Sequence, residues 1–370
     1  MTSVAFHVDQ PFARVPGGIG AYVRGLVPAL TEADPELDLT LFHARFDERP
    51  EAWMTDLPRV QLRQRIGTLY PSWALFGRPA LPAPLDRVDL VHAPLPSAVP
   101  PVGRGQRLMV TVHDLAFRLY PAMYPPPWRA LYGLGLRRAI RYADMLLTCS
   151  THTADDLTRA GVPTRRIHVT WSAPSLPVGS GDPGPKLDRL RVPRPYVLFV
   201  GTLEPRKNVA RLIAAYRKAV GAQGLPHALV LAGPRGWRAE PIDRELALPG
   251  PGRIVRTGRV DPGDLDALYR GAQLFCYPSL YEGFGLPVVE AMARGIPVVC
   301  TNTSSLPEVA GSAAVQVDPT SVEDLAGAIS AALGDEAERA RMAEAGPPQA
   351  ARFSWERTAR ETLDAYREVA

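Results

Sequence analysis

Cysteine is scarce in this chain: three in 370 residues, Cys149, Cys276 and Cys300. They stand far apart, each in or beside an apolar run, with no CxxC spacing and no histidine pair nearby. That pattern points to buried thiols and away from a zinc or disulfide framework. No run approaches the ~18 consecutive apolar residues of a membrane-spanning helix. The opening MTSVAFHVDQ lacks the positive n-region of a secretory signal, so the cytosol is the expected compartment. Peripheral contact at the inner face of a membrane remains compatible with that. The dense Lys/Arg runs of a nucleic-acid binder are missing too: the formal net charge is only +4 and the pI near 9.0, so no nucleic-acid partner is expected. Mild basicity of this kind suits a small anionic partner.

What is present is an ordinary globular composition, 46% hydrophobic and 22% charged, at a length that favours two domains over one oversized core. Short apolar runs recur at VAFHV (4–8), LDLTLF (37–42), VDLVHA (88–93), RLMVTVHD (107–114), MLLTCS (145–150) and IHVTW (167–171). Segments of helical spacing separate them, among them AYVRGLVPAL, which follows an expected glycine loop PGGIG (16–20), and WRALYGLGLRRAIRYA. Strands alternating with helices imply a largely parallel sheet covered on both faces, hence an α/β fold. Between residues 176 and 195 the chain turns to Pro, Gly and Ser without a sustained period, as expected of a linker. The pattern restarts with RPYVLFV, HALVLAG, RIVRTG, AQLFCYPS, IPVVCT and AAVQVD. The expected organisation is therefore an α/β domain over 1–175, a linker over 176–195, a second α/β domain over 196–352 and a last helix over 353–370. That helix either caps the second domain or returns to the first.

Open α/β sheets bind ligands at the carboxyl ends of their strands, and the chemistry-bearing residues do follow strands. After AQLFCYPS comes YEGFGLPVVEAMARGIPVV, where Glu282 and Glu290 flank a Gly-Phe-Gly turn that opens a helix near Leu286. Backbone N–H groups near Phe284, Gly285 and Leu286, with the helix dipole, favour an anion such as phosphate. Carboxylates beside a phosphate site repel the ligand unless they meet something neutral. Each can accept two hydrogen bonds from a vicinal diol, so the pair suggests a ligand built as sugar, phosphate, sugar. The plainer alternative is a dipole-satisfying Glu290 and a solvated Glu282.

GTLEPRKN places Arg206 and Lys207 after another strand, a fork and a point charge suited to a diphosphate. In the first half GGIG could bring Gly18 near the same phosphate, although it is not GxGxxG and does not form a dinucleotide fingerprint. TVHDLAF sets His113 at a strand end, a candidate to hydrogen-bond a sugar or a reacting oxygen if it is not simply a core histidine. Asp264-Leu265-Asp266 spells DxD, but it begins a helix, so capping by Asp261 or Asp264 is preferred and no metal is expected.

With these residues in place the chain resembles, over essentially its full length, the family 4 type of retaining nucleotide-sugar glycosyltransferases, which includes bacterial mannosyltransferases and sucrose synthase-like enzymes. The blocks that carry the resemblance are EGFGLPVVEAMARGIPVV, with its two glutamates seven residues apart, GTLEPRKN, VHDLAF, GGIGAYVRGL and SLPEVAG. The resemblance implies a GT-B fold, two Rossmann-like domains facing across a cleft. It implies that Glu282 and the amides of Phe284, Gly285 and Leu286 hold the donor sugar and phosphate, Glu290 the ribose, and Arg206 and Lys207 the diphosphate. His113 would contact the transferred sugar, Gly18 would approach the phosphate, and the backbone at Val260 would meet the base. Gly201-Thr202 departs from the Gly-Arg of some relatives, which leaves one phosphate contact in doubt. The implied activity is retaining hexosyl transfer without a cofactor, from a GDP- or UDP-linked sugar to a glycan, lipid-linked or small-molecule hydroxyl, with mannose from GDP-mannose preferred. A nucleotide-sugar binding protein without turnover, or a sugar phosphorylase or epimerase of the same fold, is the alternative.

Overall fold

The computed structural model describes residues 2–13 and 17–370. The chain forms two compact units: one takes the residues up to Ser175 together with Phe353–Ala370, the other Leu176–Arg352.

The first unit carries a seven-stranded sheet: β1 (Ser3–His7), β2 (Asp38–His43), β3 (Arg59–Gln61), β4 (Leu90–Ala93), β5 (Arg107–Val112), β6 (Met145–Thr148) and β7 (Ile167–Val169). All neighbours are parallel, in the order β3-β2-β1-β4-β5-β6-β7. Strands such as LVHA and MLLT are buried at every position, as expected where helices cover both faces. The strand order reverses between β1 and β4, which opens a crevice at their carboxyl ends. Two elements were not expected: β3, the polar edge tripeptide Arg-Val-Gln, and the helix Ile66–Phe76, whose apolar run is interrupted by Pro71.

The glycine loop expected over 16–20 is instead the first turn of a helix. Gly17–Ala33 is helical from Gly17 onward, with Tyr22, Val23, Leu26, Val27 and Leu30 buried at three- and four-residue spacing. Pro16 lies outside the described residues. The C-terminal helix Trp355–Val369 packs along this helix and so belongs to the first unit. Gly25 makes the packing possible: a Cβ there would sit 2.0 Å from the Trp355 ring. Deeper in, the Tyr366 hydroxyl meets His92 Nδ1 at 2.7 Å, across 274 residues of sequence.

The second unit holds β8 (Tyr196–Val200), β9 (Ala228–Ala232), β10 (Ile254–Gly258), β11 (Leu274–Tyr277), β12 (Val298–Thr301) and β13 (Val315–Val317). They run parallel in the order β10-β9-β8-β11-β12-β13, with the reversal between β8 and β11. The stretch 176–195, expected to be irregular, contains a short helix, Gly184–Arg189. It packs on the helix Pro262–Arg270 through an Arg189–Asp264 ion pair and Lys186 Nζ donating to the Gly263 carbonyl at 3.0 Å. Among the described residues no helix is long and apolar enough to cross a membrane.

Candidate functional site

The second unit builds its site at the β8/β11 reversal. β8 leaves through GTLE into a single tight turn, Pro205–Lys207, and β11 leaves through PSLYEGFG. The Leu280 N–H donates to the Arg206 carbonyl at 2.9 Å and pins the two loops together. Asn208 holds the first of them. It is left-handed at φ 58°, and its amide donates to the carbonyls of Pro278 (3.0 Å) and Pro319 (2.8 Å).

Glu282 is buried here between both expected cations. Arg206 Nη1 donates to its Oε2 at 2.8 Å and Lys207 Nζ to its Oε1 at 2.7 Å. Burial alone would raise its pKa, but Arg206 and Lys207 outweigh that and hold it down at about 2. Burial draws the Lys207 ammonium below the usual lysine value, against the pull of Glu282. The far side of Arg206 grips Glu204, Nη2 to Oε1 at 2.9 Å, and burial pushes that carboxyl above its ordinary value. Lys207 also donates to the Tyr277 hydroxyl, which hangs from a ring stacked between Phe199 and Phe275. Glu204, Tyr277 and Asn208 were not singled out from sequence. Glu204 and Asn208 sit within the GTLEPRKN block, whereas Tyr277 read as one more strand aromatic.

The turn after Glu282 has two supports, Ser305 at the start of the block SLPEVAG and Ser304 just before it. Ser304 Oγ accepts the Glu282 N–H at 2.9 Å, and Ser305 Oγ donates to the carbonyls of Glu282 (3.0 Å) and Phe284 (2.8 Å). Gly285 caps the helix Leu286–Met292 at φ 108°, a conformation that favours glycine, and a Cβ there would have to displace the Leu306 side chain, which would stand 2.6 Å away. Glu290 falls in the second turn of that helix, so satisfaction of the dipole at the first turn does not account for it. Its Oε2 accepts from the Tyr269 hydroxyl at 2.9 Å, and burial raises its pKa to about 7 against the smaller pull of Tyr269 and Arg294.

Arg294 lies over the Tyr269 ring, 5.1 Å from its centroid, and donates to Asp266 Oδ1 at 2.9 Å. Asp266 also accepts from Arg270 at 2.8 Å, while Asp264 pairs with Arg189 and its N–H is capped by Asp261 at 2.8 Å. Both carboxylates of the DxD sequence are therefore engaged by arginines. Val260 is half-buried in the loop after β10.

The remaining two expected residues belong to the first unit. His113 follows β5, and its Nε2 donates to the carbonyl of Pro94, just past the neighbouring β4, at 2.9 Å. Burial lowers its pKa to about 4, with smaller opposing pulls from that carbonyl and Asp114. The ring is thus neutral at pH 7, with the proton on Nε2 and Nδ1 left as an acceptor. Tyr22 packs edge-on to it at 4.8 Å and meets Thr111 Oγ1 at 3.3 Å. Thr111 in turn meets His92 Nε2 at 2.8 Å, and burial lowers the His92 pKa to about 3. Gly18 is exposed in the first turn of the helix Gly17–Ala33. The three cysteines are buried and form no disulfide with one another.

Two family models match the chain: "Glycosyltransferase Family 4" over residues 16–171 and "Glycosyl transferases group 1" over 188–349. Among characterised proteins, O-antigen chain mannosyltransferase B of Escherichia coli is 35% identical over 382 aligned positions, covering 95% of this chain and 96% of the relative. Two solved structures share the fold. Sucrose-phosphate synthase from Thermosynechococcus elongatus has a TM-score of 0.75 at 21% identity, covering 100% of this chain and 99% of the other. The Anabaena protein HepE in complex with UDP and glucose has a TM-score of 0.75 at 18% identity, with both chains fully covered.

Proposed function

The chain belongs to glycosyltransferase family 4, whose members are retaining hexosyltransferases with a GT-B fold, and from that premise we propose that it transfers mannose from GDP-mannose to a hydroxyl of a lipid-linked glycan. The observation that carries the site assignment is Glu282 held ionised between Arg206 and Lys207 at the β8/β11 reversal. Four groups there, Glu204, Arg206, Lys207 and Glu282, form a compact, balanced set of charges. A nucleotide diphosphate gives the two cations a new partner. Arg206 and Lys207 turn toward the phosphates, and Glu282 is released to accept hydroxyls of the donor sugar. Charge grows on the diphosphate as the glycosidic bond breaks, and fixed donors that meet it stabilise the transition state more than the ground state. The sugar leaves as an oxocarbenium-like species, and the leaving phosphate accepts the acceptor's proton on the same face, which gives retention. Glu282 is a positioning group in this scheme, not a covalent nucleophile.

Glu290 accepts the ribose hydroxyls, with Tyr269 holding one of its oxygens, and the backbone at Val260 meets the base. His113, neutral with Nδ1 as an acceptor, suits a sugar hydroxyl or the reacting oxygen. Gly18 presents a side-chain-free surface to the phosphate. The arginine partners of Asp264 and Asp266 support a reaction that needs no divalent ion. The mannosyl assignment leans on the E. coli relative, and the lipid-linked glycan acceptor on the O-antigen chain in its name.

A panel of GDP, UDP and ADP with their sugars, read by thermal shift and by nucleotide release on a polyprenyl-linked glycan, tests the donor. Stabilisation by GDP and GDP-mannose with release of GDP is expected. A response confined to UDP-sugars would overturn the mannose assignment, and loss of turnover in EDTA would overturn metal independence.

A further inference from the structure

The loop that leaves β8 carries a carboxylate for which the donor scheme so far has no use. Glu204 stands two positions before Arg206 in GTLEPRKN and is only 2% exposed. A charged acceptor in the interior is costly unless its oxygens are met. Oε1 is met, by Arg206 Nη2 at 2.9 Å. Oε2 is buried and has no hydrogen-bond partner among the described residues. The neighbouring backbone accounts for the enclosure. Gly236, on the loop after β9, donates its N–H to the Leu203 carbonyl at 3.0 Å, and a Cβ on it would stand 3.3 Å from the Glu204 Cβ. That loop lies against Glu204 without helping its charge, since its Arg235 is turned to Asp243, at 2.7 and 3.0 Å.

The other charges that face Glu204 belong to the cluster already described. Lys207 Nζ is engaged by Glu282 Oε1 at 2.7 Å and by the Tyr277 hydroxyl, and Glu282 adds a charge of the same sign as Glu204. Glu204 therefore leans on one hydrogen-bonding cation, and that cation is shared. Arg206 Nη1 donates to Glu282 Oε2 at 2.8 Å and to the Tyr281 carbonyl at 2.7 Å. Burial already holds the Glu204 carboxyl above its ordinary value, and Arg206 is the largest pull against it.

A diphosphate that draws Arg206 away treats the two glutamates differently. Glu282 exchanges its cations for sugar hydroxyls. Glu204, enclosed under the β9 loop, receives nothing in exchange and faces an added anion. A buried carboxylate left in that position is neutralised by a proton. We propose that Glu204 is a positioning residue of the donor site: as a carboxylate it holds Arg206 in place in the free protein, and it takes up one proton from solvent when the diphosphate draws Arg206 away. The step forms an O–H bond on the carboxylate, moves no electrons, and is reversed when the nucleotide leaves. This inference rests on the assignment of Arg206 to the diphosphate.

The test counts protons. Titration calorimetry with GDP-mannose, and again with UDP-glucose so that the base preference does not decide the result, is run in two buffers of different ionisation enthalpy. Neither nucleotide sugar has a phosphate proton that titrates between pH 6 and pH 8, so the count belongs to the protein. At pH 7 wild type is expected to take up more protons per donor than Glu204→Gln, by up to about one. Any proton released by Glu290 is common to both and drops out of the difference. The amide also mimics the protonated carboxyl, so Glu204→Gln should bind the donor about tenfold more tightly than wild type at pH 8, an advantage that shrinks toward pH 6. A carboxylate that merely supported the fold would give weaker binding when replaced, at either pH. Glu290→Gln keeps Glu204 and removes the opposing proton, so it should read net uptake at pH 7 even if Glu204→Gln does not fold. Equal counts in wild type and Glu204→Gln, weaker donor binding by Glu204→Gln at both pH values, or no uptake in Glu290→Gln overturns the proposal. Donor binding without the Glu204-dependent proton removes this inference alone, whereas no binding of GDP-, UDP- or ADP-sugars removes the donor reading with it.

Discussion

The two strand-end centres of this chain solve opposite electrostatic problems. In the second unit Glu282 is buried yet kept ionised, its carboxyl held at about 2 by two cations within hydrogen-bond distance. In the first unit His113 and His92 are kept neutral, their rings lowered to about 4 and 3 by burial among hydroxyls and carbonyls. One centre holds charge against charge and the other offers uncharged hydrogen bonds. On the proposed function that is a division between the diphosphate and the sugar hydroxyls.

Acid should separate the two centres most strongly. A buried neutral histidine has a folded pKa below its unfolded value of 6.5, so its stabilisation is complete above that pH and is lost as pH falls toward the folded value. His92 alone puts roughly 5 kcal/mol at stake between pH 6.5 and 3. Glu282, also depressed, keeps its contribution until pH falls below 4.5. Glu290, raised to about 7, favours folding more as pH falls from 7 to 4.5. Hydrogen exchange followed from pH 7 to 4.5 should therefore show the first unit loosening before the second. The reverse order would dissolve the contrast.

Next in size is Lys207→Ala, which on the proposed function removes a donor to the leaving diphosphate and should lower kcat by about 10²–10³-fold, measured as nucleotide release. A loss confined to KM would mean that Lys207 only binds. Tyr366→Phe attacks the neutral side at a distance. It leaves His92 Nδ1 buried without its partner, at a cost of about 2 kcal/mol in chemical denaturation, with kcat little changed. His113→Ala removes one uncharged hydrogen bond and should lower kcat/KM about tenfold, by the same factor at pH 6 and pH 8. A pH-dependent loss would make it a proton carrier. The smallest effect is at Glu290. Ionised above pH 7, it should improve donor affinity about threefold from pH 6.5 to 7.5, and Glu290→Gln should flatten that slope.

Much of this was legible in the sequence because parallel sheets write themselves as apolar runs. Twelve of the thirteen strands coincide with such a run, and the polar tripeptide Arg59–Gln61 does not. Helix starts were harder to read. GGIG looks like a turn because glycine is a poor helix former, yet the helix takes it as a first turn, where no preceding partner is demanded of its N–H groups. At the site, the charged residues were visible because charge after a buried strand is anomalous. The groups that hold them were not. Tyr277 reads as core, Ser304 lies just ahead of the block SLPEVAG, and nothing local marks Arg294, although it ties Asp266 to the chain just after Ser175 by donating to the Pro177 carbonyl at 2.8 Å. Supporting roles depend on contacts distant in sequence, which no local pattern records.

The return of Trp355–Val369 to the first unit also fixes an order of events during synthesis. A chain made from its N-terminus would ordinarily complete its first unit before its second exists. Here the strands β1 to β7 are finished while the helix that covers Gly25 and closes on His92 is still some 180 residues from being made. The second unit, contiguous from Leu176 to Arg352, emerges whole in the interval. The unit translated first is thus the last to be completed, and a chain shortened to end at residue 352 should hold a folded second unit beside a first unit that is still open along the helix Gly17–Ala33.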